Sequence, residues 1–95
     1  MTEIKRSDIL PWTESDIRST PEATGVYILR DSENVMIYIG MSTNLRQRLL
    51  EHWTKKDIPG VAFFDWYQTT DEENARKLEE KWIKKYSPKY NVTQK

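Results

Sequence analysis

Two short runs of apolar residues enclose a polar loop in the first half of the chain, and this pattern predicts a β-hairpin. Residues 25–30 read Gly-Val-Tyr-Ile-Leu-Arg and residues 35–40 read Val-Met-Ile-Tyr-Ile-Gly, while the loop between them reads Asp-Ser-Glu-Asn. β-branched and aromatic residues around a four-residue polar loop are typical of two antiparallel strands. The two runs are therefore expected to pair with each other.

Symmetric pairing about the loop would place Tyr27 opposite Tyr38 and Gly25 opposite Gly40. One face of the hairpin would then carry two phenol rings beside two backbone positions without side chains, which a bulky group could approach closely. Two stacked β-formers would give the same pattern without any function. The opposite face would be apolar core, made of Val26, Ile28, Ile37 and Ile39.

Three helices and one further strand are predicted from spacing and capping residues. Ser42 or Thr43 would cap the middle helix, and Thr70 with Glu73 forms a capping box at the start of the longest one. Apolar residues recur at helical spacing in both segments. The predicted elements are a short helix over residues 13–19, a helix over 43–53, an aromatic-rich strand over 61–68 and a long helix from residue 70 to Pro88.

The order of these elements predicts an α/β fold with a small three-stranded, mostly antiparallel sheet flanked by helices. A chain of 95 residues is expected to form one domain. We place a helical N-terminal extension in residues 1–23 and the motif-bearing core in residues 24–92.

Positive and negative charges balance over the whole chain but not along it. The sequence has 15 basic and 15 acidic side chains, which argues against strong nonspecific attraction to nucleic acid over the entire surface. Residues 1–34 hold four basic and seven acidic groups, whereas residues 35–95 hold eleven and eight. The basic excess forms two local patches, made of Arg46, Arg48, Lys55 and Lys56, and of Lys81, Lys84, Lys85 and Lys89. They fit a modest polyanion site, although solvated helix faces produce such runs more often than binding does.

The sequence contains no cysteine, which excludes disulfides and thiolate metal sites. No apolar run approaches the length of a membrane span, and the N-terminal residues are too charged for a signal peptide. We therefore expect a soluble, cytoplasmic protein that makes no membrane contact.

Glu79 lies within the apolar stripe of the longest predicted helix, whereas the adjacent Glu80 lies outside it. A carboxylate on the core side of a helix is costly unless a cation or a basic side chain compensates its charge. A metal ion and a salt bridge both satisfy this requirement, and the pattern leaves both open.

Arg48 and His52 lie four residues apart in the middle helix and therefore share a face. Arg46 lies nearer the apolar stripe of the same helix. Helical spacing alone does not decide which of the two arginines is functional.

Taken together, these residues resemble the GIY-YIG nucleases over roughly residues 24–92. Each short motif would be weak evidence alone, but four motifs in the right order and spacing are specific. The motifs are Gly25-Val26-Tyr27, Tyr38-Ile39-Gly40, the segment from Ser42 to Leu49 followed by His52, and the segment from Leu78 to Asn91 with its Pro88-Lys89-Tyr90-Asn91 ending.

The resemblance decides between the two arginines and assigns the other candidate site residues. Its arginine corresponds to Arg48 rather than Arg46, and its histidine or tyrosine four residues later corresponds to His52. Its glutamate corresponds to Glu79, in agreement with the helix angle, and its asparagine, which supports the active-site scaffold, corresponds to Asn91.

This resemblance implies a divalent-metal-dependent DNA endonuclease that hydrolyses phosphodiester bonds. One Mg²⁺ or Mn²⁺ would be held mainly by Glu79, and Arg48 would neutralise charge developing on the phosphorus oxygens. One tyrosine would activate the attacking water, for which we favour Tyr27, and Tyr38 would hold water or phosphate. The nearby cation, Arg48 or His52 would assist this tyrosine, because a free phenol has a pKa of about 10.

DNA is the expected partner, and its contacts are expected from the motif glycines, basic side chains and the motif asparagine: Gly25, Gly40, Arg46, Lys84, Lys85 and Asn91. No separate DNA-recognition module is visible, so sequence specificity is expected to be low or to come from DNA shape, from a homodimer or from a partner protein. The alternative is a catalytically inactive nucleic-acid-binding or protein-interaction module of the same fold. Met41 leaves that alternative open, because repair members of the family place a lysine there, whereas the complete set of motif side chains argues against it.

Overall fold

The computed structural model describes residues 5–91 and contains one four-stranded antiparallel sheet with helices on both faces. In this part of the chain, no helix is both long and apolar enough to cross a membrane. The elements are β1 (Leu10–Pro11), α1 (Glu14–Arg18), β2 (Gly25–Arg30), β3 (Met36–Ser42), α2 (Leu45–Lys55), β4 (Phe63–Gln68) and α3 (Glu72–Tyr86), and the strand order is β1-β4-β2-β3.

The predicted fold class is confirmed, except that the sheet has four strands rather than three. The additional strand is β1, which spans two residues and pairs with Phe63 and Phe64 of β4. The preceding residues extend this pairing, since the Ser7 amide donates to the Trp66 carbonyl at 3.0 Å. A two-residue strand carries no periodic signal, and its proline is tolerated because it occupies the edge of the sheet.

The hairpin register differs by two residues from the symmetric pairing predicted above. Tyr27 pairs with Gly40, Leu29 with Tyr38, and Gly25 with Ser42. A shift of two residues keeps each side chain on its expected face. The two tyrosines are therefore diagonal neighbours on one face, with ring centroids 6.2 Å apart.

The loop and a β-bulge cause this shift. The Asp31 carboxylate accepts hydrogen bonds from the amides of Glu33 and Val35 at 2.9 Å each, so Val35 belongs to the loop rather than to the strand. Arg30 then pairs with Met36, and the register shifts once more beyond that pair. Ile37 is the extra residue of the bulge, which explains why it packs in the core of the tyrosine face instead of the opposite core.

Each face of the sheet has its own hydrophobic core. Helix α3 covers one face, where Ala75 packs with Val26, Ile28 and Ile39. Helices α1 and α2 cover the other face, where the buried residues are Ile17, Tyr27, Leu29, Ile37, Leu45, Leu49 and Phe64. Tyr27 is thus both a core residue and a candidate site residue.

The caps of the two longer helices differ by one or two residues from the predicted ones. Asn44 caps α2 by accepting from the Gln47 amide at 3.1 Å. Asp71 caps α3 by accepting from the Asn74 amide at 2.8 Å. An amide or carboxylate side chain reaches the third residue of a helix as well as a hydroxyl does, so the neighbouring Ser and Thr residues did not distinguish the position.

The segment after α3 covers the exposed edge of the sheet. Ser87 ends the helix in the left-handed region, with φ of 46°, and the chain returns along β3. The Tyr90 amide donates to the Ile37 carbonyl at 2.9 Å. The Asn91 side chain accepts from the Ile39 amide at 2.8 Å and donates to the Ile39 carbonyl at 3.0 Å. The Asn91 amide therefore pairs with the edge strand as a further strand would.

Asn91→Ala should destabilise the domain by about 1–3 kcal/mol, because it leaves both main-chain groups of Ile39 without these partners. For a domain of this size, the melting temperature should fall by at least about 4 °C. Asn74→Ala, which removes an exposed amide bonded to Thr70, is the matched control and should change it much less. Equal shifts in thermal unfolding would contradict the assignment of Asn91 as an edge-strand partner.

Candidate active site

The sheet and α2 bring four of the predicted residues into one cluster. Tyr27 comes from β2, Tyr38 from β3, and Arg48 and His52 from α2. The His52 ring lies 5.5 Å from the centroids of both tyrosine rings. The tyrosines share the sheet face that α2 covers. The positions of Arg48 and His52 in that helix therefore determine which side chains lie beside the two phenols.

Tyr27 and His52 are joined by a buried hydrogen bond. The Tyr27 Oη and His52 Nε2 atoms lie 2.8 Å apart, and the two residues are 1% and 3% exposed. On the other side of the ring, His52 Nδ1 lies 2.8 Å from Oδ1 of Asp57. Sequence reasoning missed Asp57, and the only available signal was an acidic residue five positions after the histidine.

The pKa of the Tyr27 phenol is raised well above its ordinary value. Burial is the largest cause and the neighbouring Tyr38 adds to it, while the Arg48 guanidinium opposes both. The phenol is therefore neutral and protonated at physiological pH. Its hydrogen requires an acceptor in the core, and His52 Nε2 is at the right distance to be that acceptor.

Arg48 is held in its charged form beside this cluster. Its Nη1 donates to Oε1 of Glu51 at 2.8 Å. The Glu51 hydrogen bond is the main reason that the pKa of Arg48 is raised, and Tyr27 contributes in the same direction. The Arg48 side chain is 38% exposed, so it remains accessible to a phosphate.

Arg46 and Arg48 make different contacts in the structure. Arg46 Nε donates to the carbonyl of Thr20 at 2.8 Å, and its Nη1 lies 3.8 Å from Oε2 of Glu22. Arg46 thus attaches α2 to the segment that precedes β2. Its predicted role in substrate binding remains a prediction, and its main contacts are with the protein.

Glu79 lies half-buried on α3, and Glu80 is exposed. Burial raises the pKa of the Glu79 carboxyl, with a smaller contribution from the charge of Glu80, while Arg76 lowers it. Within residues 5–91, Glu79 makes no ion pair or side-chain hydrogen bond, and Arg76 bonds Glu72 instead. The salt-bridge alternative for Glu79 therefore has no partner in the described structure.

Protein atoms occupy the space beside both motif glycines, so that space is not open to a ligand. A Cβ atom on Gly40 would lie 2.9 Å from Cε1 of the Tyr27 ring, which crosses that position. A Cβ atom on Gly25 would lie 2.9 Å from Cδ1 of Leu45 and would also collide with the Tyr67 carbonyl. Both glycines permit packing that positions the site, and their predicted contacts with substrate remain predictions.

The remaining predicted contacts lie outside the cluster. Lys84 and Lys85 are exposed near the end of α3, and Lys85 Nζ lies 5.3 Å from the centroid of the Tyr86 ring. Both polar atoms of the Asn91 amide bond Ile39. Among residues 5–91, no three His, Cys, Asp or Glu side chains converge into a metal-binding cluster.

A model of the UvrC-like GIY-YIG domain matches residues 23–92, and the chain belongs to this family. The predicted resemblance is thereby confirmed. The chain is 34% identical to UvrABC system protein C of Bacteroides fragilis over 98 residues, which cover 95% of this chain and 16% of that protein. It is 39% identical to the same protein of Thermobifida fusca over 83 residues, covering 78% of this chain and 13% of that protein. The chain thus spans less than a fifth of the length of these relatives.

Solved structures of a single domain match over nearly their whole length. The GIY-YIG N-terminal endonuclease domain of UvrC from Thermotoga maritima, bound to magnesium as its catalytic divalent cation, is 30% identical with a TM-score of 0.68. The match covers 82% of this chain and 98% of that domain. A tyrosine-to-phenylalanine mutant of the same domain, also bound to its catalytic divalent cation, is 31% identical with a TM-score of 0.70, covering 80% and 90%.

The raised pKa of Tyr27 predicts a specific loss of stability in alkali. Above about pH 10, a tyrosine in the unfolded chain releases its proton while Tyr27 in the folded chain retains it. The unfolded state then binds fewer protons, so the free energy of unfolding falls as the pH rises. Tyr27→Phe should remove this part of the slope, as measured by melting temperature from about pH 8 to pH 11.

Tyr86→Phe is the control for this measurement, because Tyr86 is 44% exposed. It should leave the alkaline slope close to that of the parent. An unchanged slope in Tyr27→Phe would mean that the phenol is not held protonated by burial.

Proposed function

We propose that this chain is a divalent-metal-dependent DNA endonuclease that hydrolyses phosphodiester bonds. The observation that carries the proposal is the buried Tyr27–His52 hydrogen bond, with Arg48 charged and partly exposed beside it, in a member of the UvrC-like GIY-YIG family. This arrangement combines a hydroxyl, a proton acceptor and a cationic phosphate ligand in one cluster.

Glu79 is the residue that would hold the divalent cation. Its carboxylate is half-buried and forms no ion pair or hydrogen bond with a described side chain, which fits a cation ligand. A hard cation with one protein carboxylate suits Mg²⁺, because Mg²⁺ retains most of its water ligands. When bound, the cation would supply positive charge beside the scissile phosphate.

Tyr27 would activate the attacking water through His52. As a water hydrogen passes to the Tyr27 oxygen, the phenol hydrogen passes to His52 Nε2, which lies 2.8 Å away. The resulting hydroxide forms a bond to phosphorus, the bond from phosphorus to the leaving oxygen breaks, and that oxygen takes a proton from solvent. Tyr38, which is half-buried, has free surface for holding a water or a phosphate oxygen.

Arg48 would stabilise the transition state by charge. Its guanidinium is fixed by Glu51, and its exposed surface can face the phosphate oxygens on which negative charge increases. Because the arginine is already oriented by its neighbours, little reorganisation is needed when the substrate binds.

We further propose that residues 1–95 form one domain and that binding to DNA is weak and depends on salt. The N-terminal extension supports the first point, because β1 joins the sheet and Ile17 of α1 is fully buried in the core. Exposed Lys84 and Lys85 support the second, since contacts to phosphate by a few lysines give affinity without base recognition. DNA shape, a homodimer or a partner protein would then supply any selectivity.

The proposal is tested with purified parent protein on single-stranded, duplex, flapped and branched DNA, in Mg²⁺, Mn²⁺ and a chelator. Cleavage that requires a divalent cation is the expected result. Binding to DNA without cleavage of any substrate would support the inactive-module alternative instead.

Glu79→Gln should abolish this cleavage while Glu80→Gln leaves it near the parent rate, because Glu79 is half-buried and proposed to hold the cation, whereas Glu80 is exposed. Without metal, Glu79→Gln should also raise the melting temperature, since it replaces a half-buried carboxylate of raised pKa by a neutral amide of the same size. Cleavage rates and melting temperatures are measured for both variants with and without Mg²⁺. Near-parent cleavage by nuclease-free Glu79→Gln protein would overturn the metal assignment.

Arg48→Ala should lower the cleavage rate by about 10²- to 10³-fold with a small change in stability. Arg46→Ala should lower the stability and leave the cleavage rate near that of the parent, because it removes the contact to the Thr20 carbonyl and leaves the tyrosine cluster intact. Single-turnover rates and thermal unfolding of the two variants make the comparison. Equal rate losses would show that both arginines act on the phosphate.

A further inference from the structure

We propose that Asp57 is a positioning residue of this site, which holds His52 in the tautomer that carries its hydrogen on Nδ1. In that tautomer, Nε2 has a free lone pair and accepts the hydrogen of Tyr27. The catalytic consequence rests on the proposed function, whereas the tautomer itself is a property of the folded protein.

Both ring nitrogens of His52 lie within hydrogen-bonding distance of a partner. His52 Nε2 lies 2.8 Å from Tyr27 Oη, and Nδ1 lies 2.8 Å from Asp57 Oδ1. The His52 side chain is only 2% exposed, so solvent does not compete for either nitrogen. Tyr27, His52 and Asp57 therefore form one chain of hydrogen bonds that runs from the core to the surface.

The backbone after α2 brings Asp57 to this position. Helix α2 ends at Lys55, and Lys56 adopts the left-handed region with φ of 53°, while its amide bonds the His52 carbonyl. This conformation reverses the chain direction at the helix end, so that the next residue returns beside the histidine one turn earlier. Asp57 lies within the matched residues but outside the four motifs that carry the family resemblance.

The charge of Asp57 decides the direction of the hydrogen bond. Burial acts to raise the pKa of this carboxyl, but the hydrogen bond and charge of His52 and the Asp57 backbone amide outweigh it, so the pKa is lowered. The carboxyl is therefore ionised at neutral pH, and an ionised carboxylate only accepts hydrogen bonds. Nδ1 must be the donor, which leaves Nε2 as the acceptor in a neutral imidazole.

This arrangement explains how a phenol of raised pKa takes part in proton transfer. When Tyr27 passes its hydrogen to Nε2, the imidazole becomes a cation in a buried position. The Asp57 carboxylate then compensates that charge through Nδ1, and no proton moves to Asp57 itself. Without Asp57, the same ring would be free to present Nε2–H, which cannot accept from Tyr27.

Asp57 also ties the segment after α2 to His52, so a purely structural role predicts a loss of stability and nothing more. The tautomer of His52 separates the two roles. His52 is the only histidine in the sequence, so nitrogen-15 NMR of the parent protein reports this ring without assignment ambiguity.

The first experiment measures long-range nitrogen–proton couplings of His52 at a pH where the ring is neutral. The parent should show the Nδ1–H form as the major tautomer. Asp57→Asn, whose amide can donate as well as accept, should increase the Nε2–H population, while Asp8→Asn, at an exposed position, should not. A major Nε2–H form in the parent protein would overturn the proposal without reference to any variant.

The second experiment measures single-turnover cleavage in a double-mutant cycle of Asp57→Asn and His52→Gln. Asp57→Asn should lower the rate by about 10- to 100-fold in the parent, as loss of a partner that orients a functional histidine does. In the His52→Gln background it should lower the rate by less than about twofold, because Asp57 acts through His52. Equal losses in both backgrounds would overturn the positioning role.

The two experiments also separate this proposal from the proposed function. A parent protein that shows the Nδ1–H tautomer but cuts no DNA would refute the nuclease activity and leave the Asp57–His52 assignment supported. A parent protein that cuts DNA with His52 in the Nε2–H form would support the nuclease and refute the role of Asp57.

Discussion

The packing of the Tyr27 ring across Gly40 is the contact on which both the fold and the site depend. The ring is buried in the core between the sheet and α2, and its hydroxyl extends to His52. A side chain at position 40 would occupy the space of the ring, so the glycine of one strand and the tyrosine of the other are required together. Because a buried phenol needs a hydrogen-bond partner, this packing also fixes what His52 must do.

The sequence predicted which face each side chain occupies better than it predicted which residues pair. The period of two along a strand places Tyr27 and Tyr38 on one face for any even shift in register, so the two-residue error did no harm to the site. The shift itself arises from Asp31 closing the loop and from the bulge at Ile37, and neither leaves a pattern in apolar residues. Strand β1 was missed for a related reason, since two residues carry no period.

Helical spacing predicted Glu79 as the inward carboxylate, and the half-buried position and raised pKa of that group agree with it. Spacing did not distinguish Arg46 from Arg48, because the difference depends on a contact with a distant residue. Arg46 is engaged by the Thr20 carbonyl, from a segment 26 residues earlier in the chain. Asp57 was not predicted, because its position beside His52 depends on the left-handed conformation of Lys56 after α2. A periodic pattern in the sequence does not reveal that conformation.

We propose above that the buried Tyr27 phenol, through its hydrogen bond to His52, activates the water that attacks the phosphate. The most direct measurement is the single-turnover rate of DNA cleavage in Mg²⁺ for Tyr27→Phe and Tyr38→Phe, each shown to remain folded. Loss of a general base predicts that Tyr27→Phe is slower than the parent by about 10²- to 10⁴-fold and slower than Tyr38→Phe. A Tyr27→Phe protein that cleaves within a few-fold of the parent rate would contradict it.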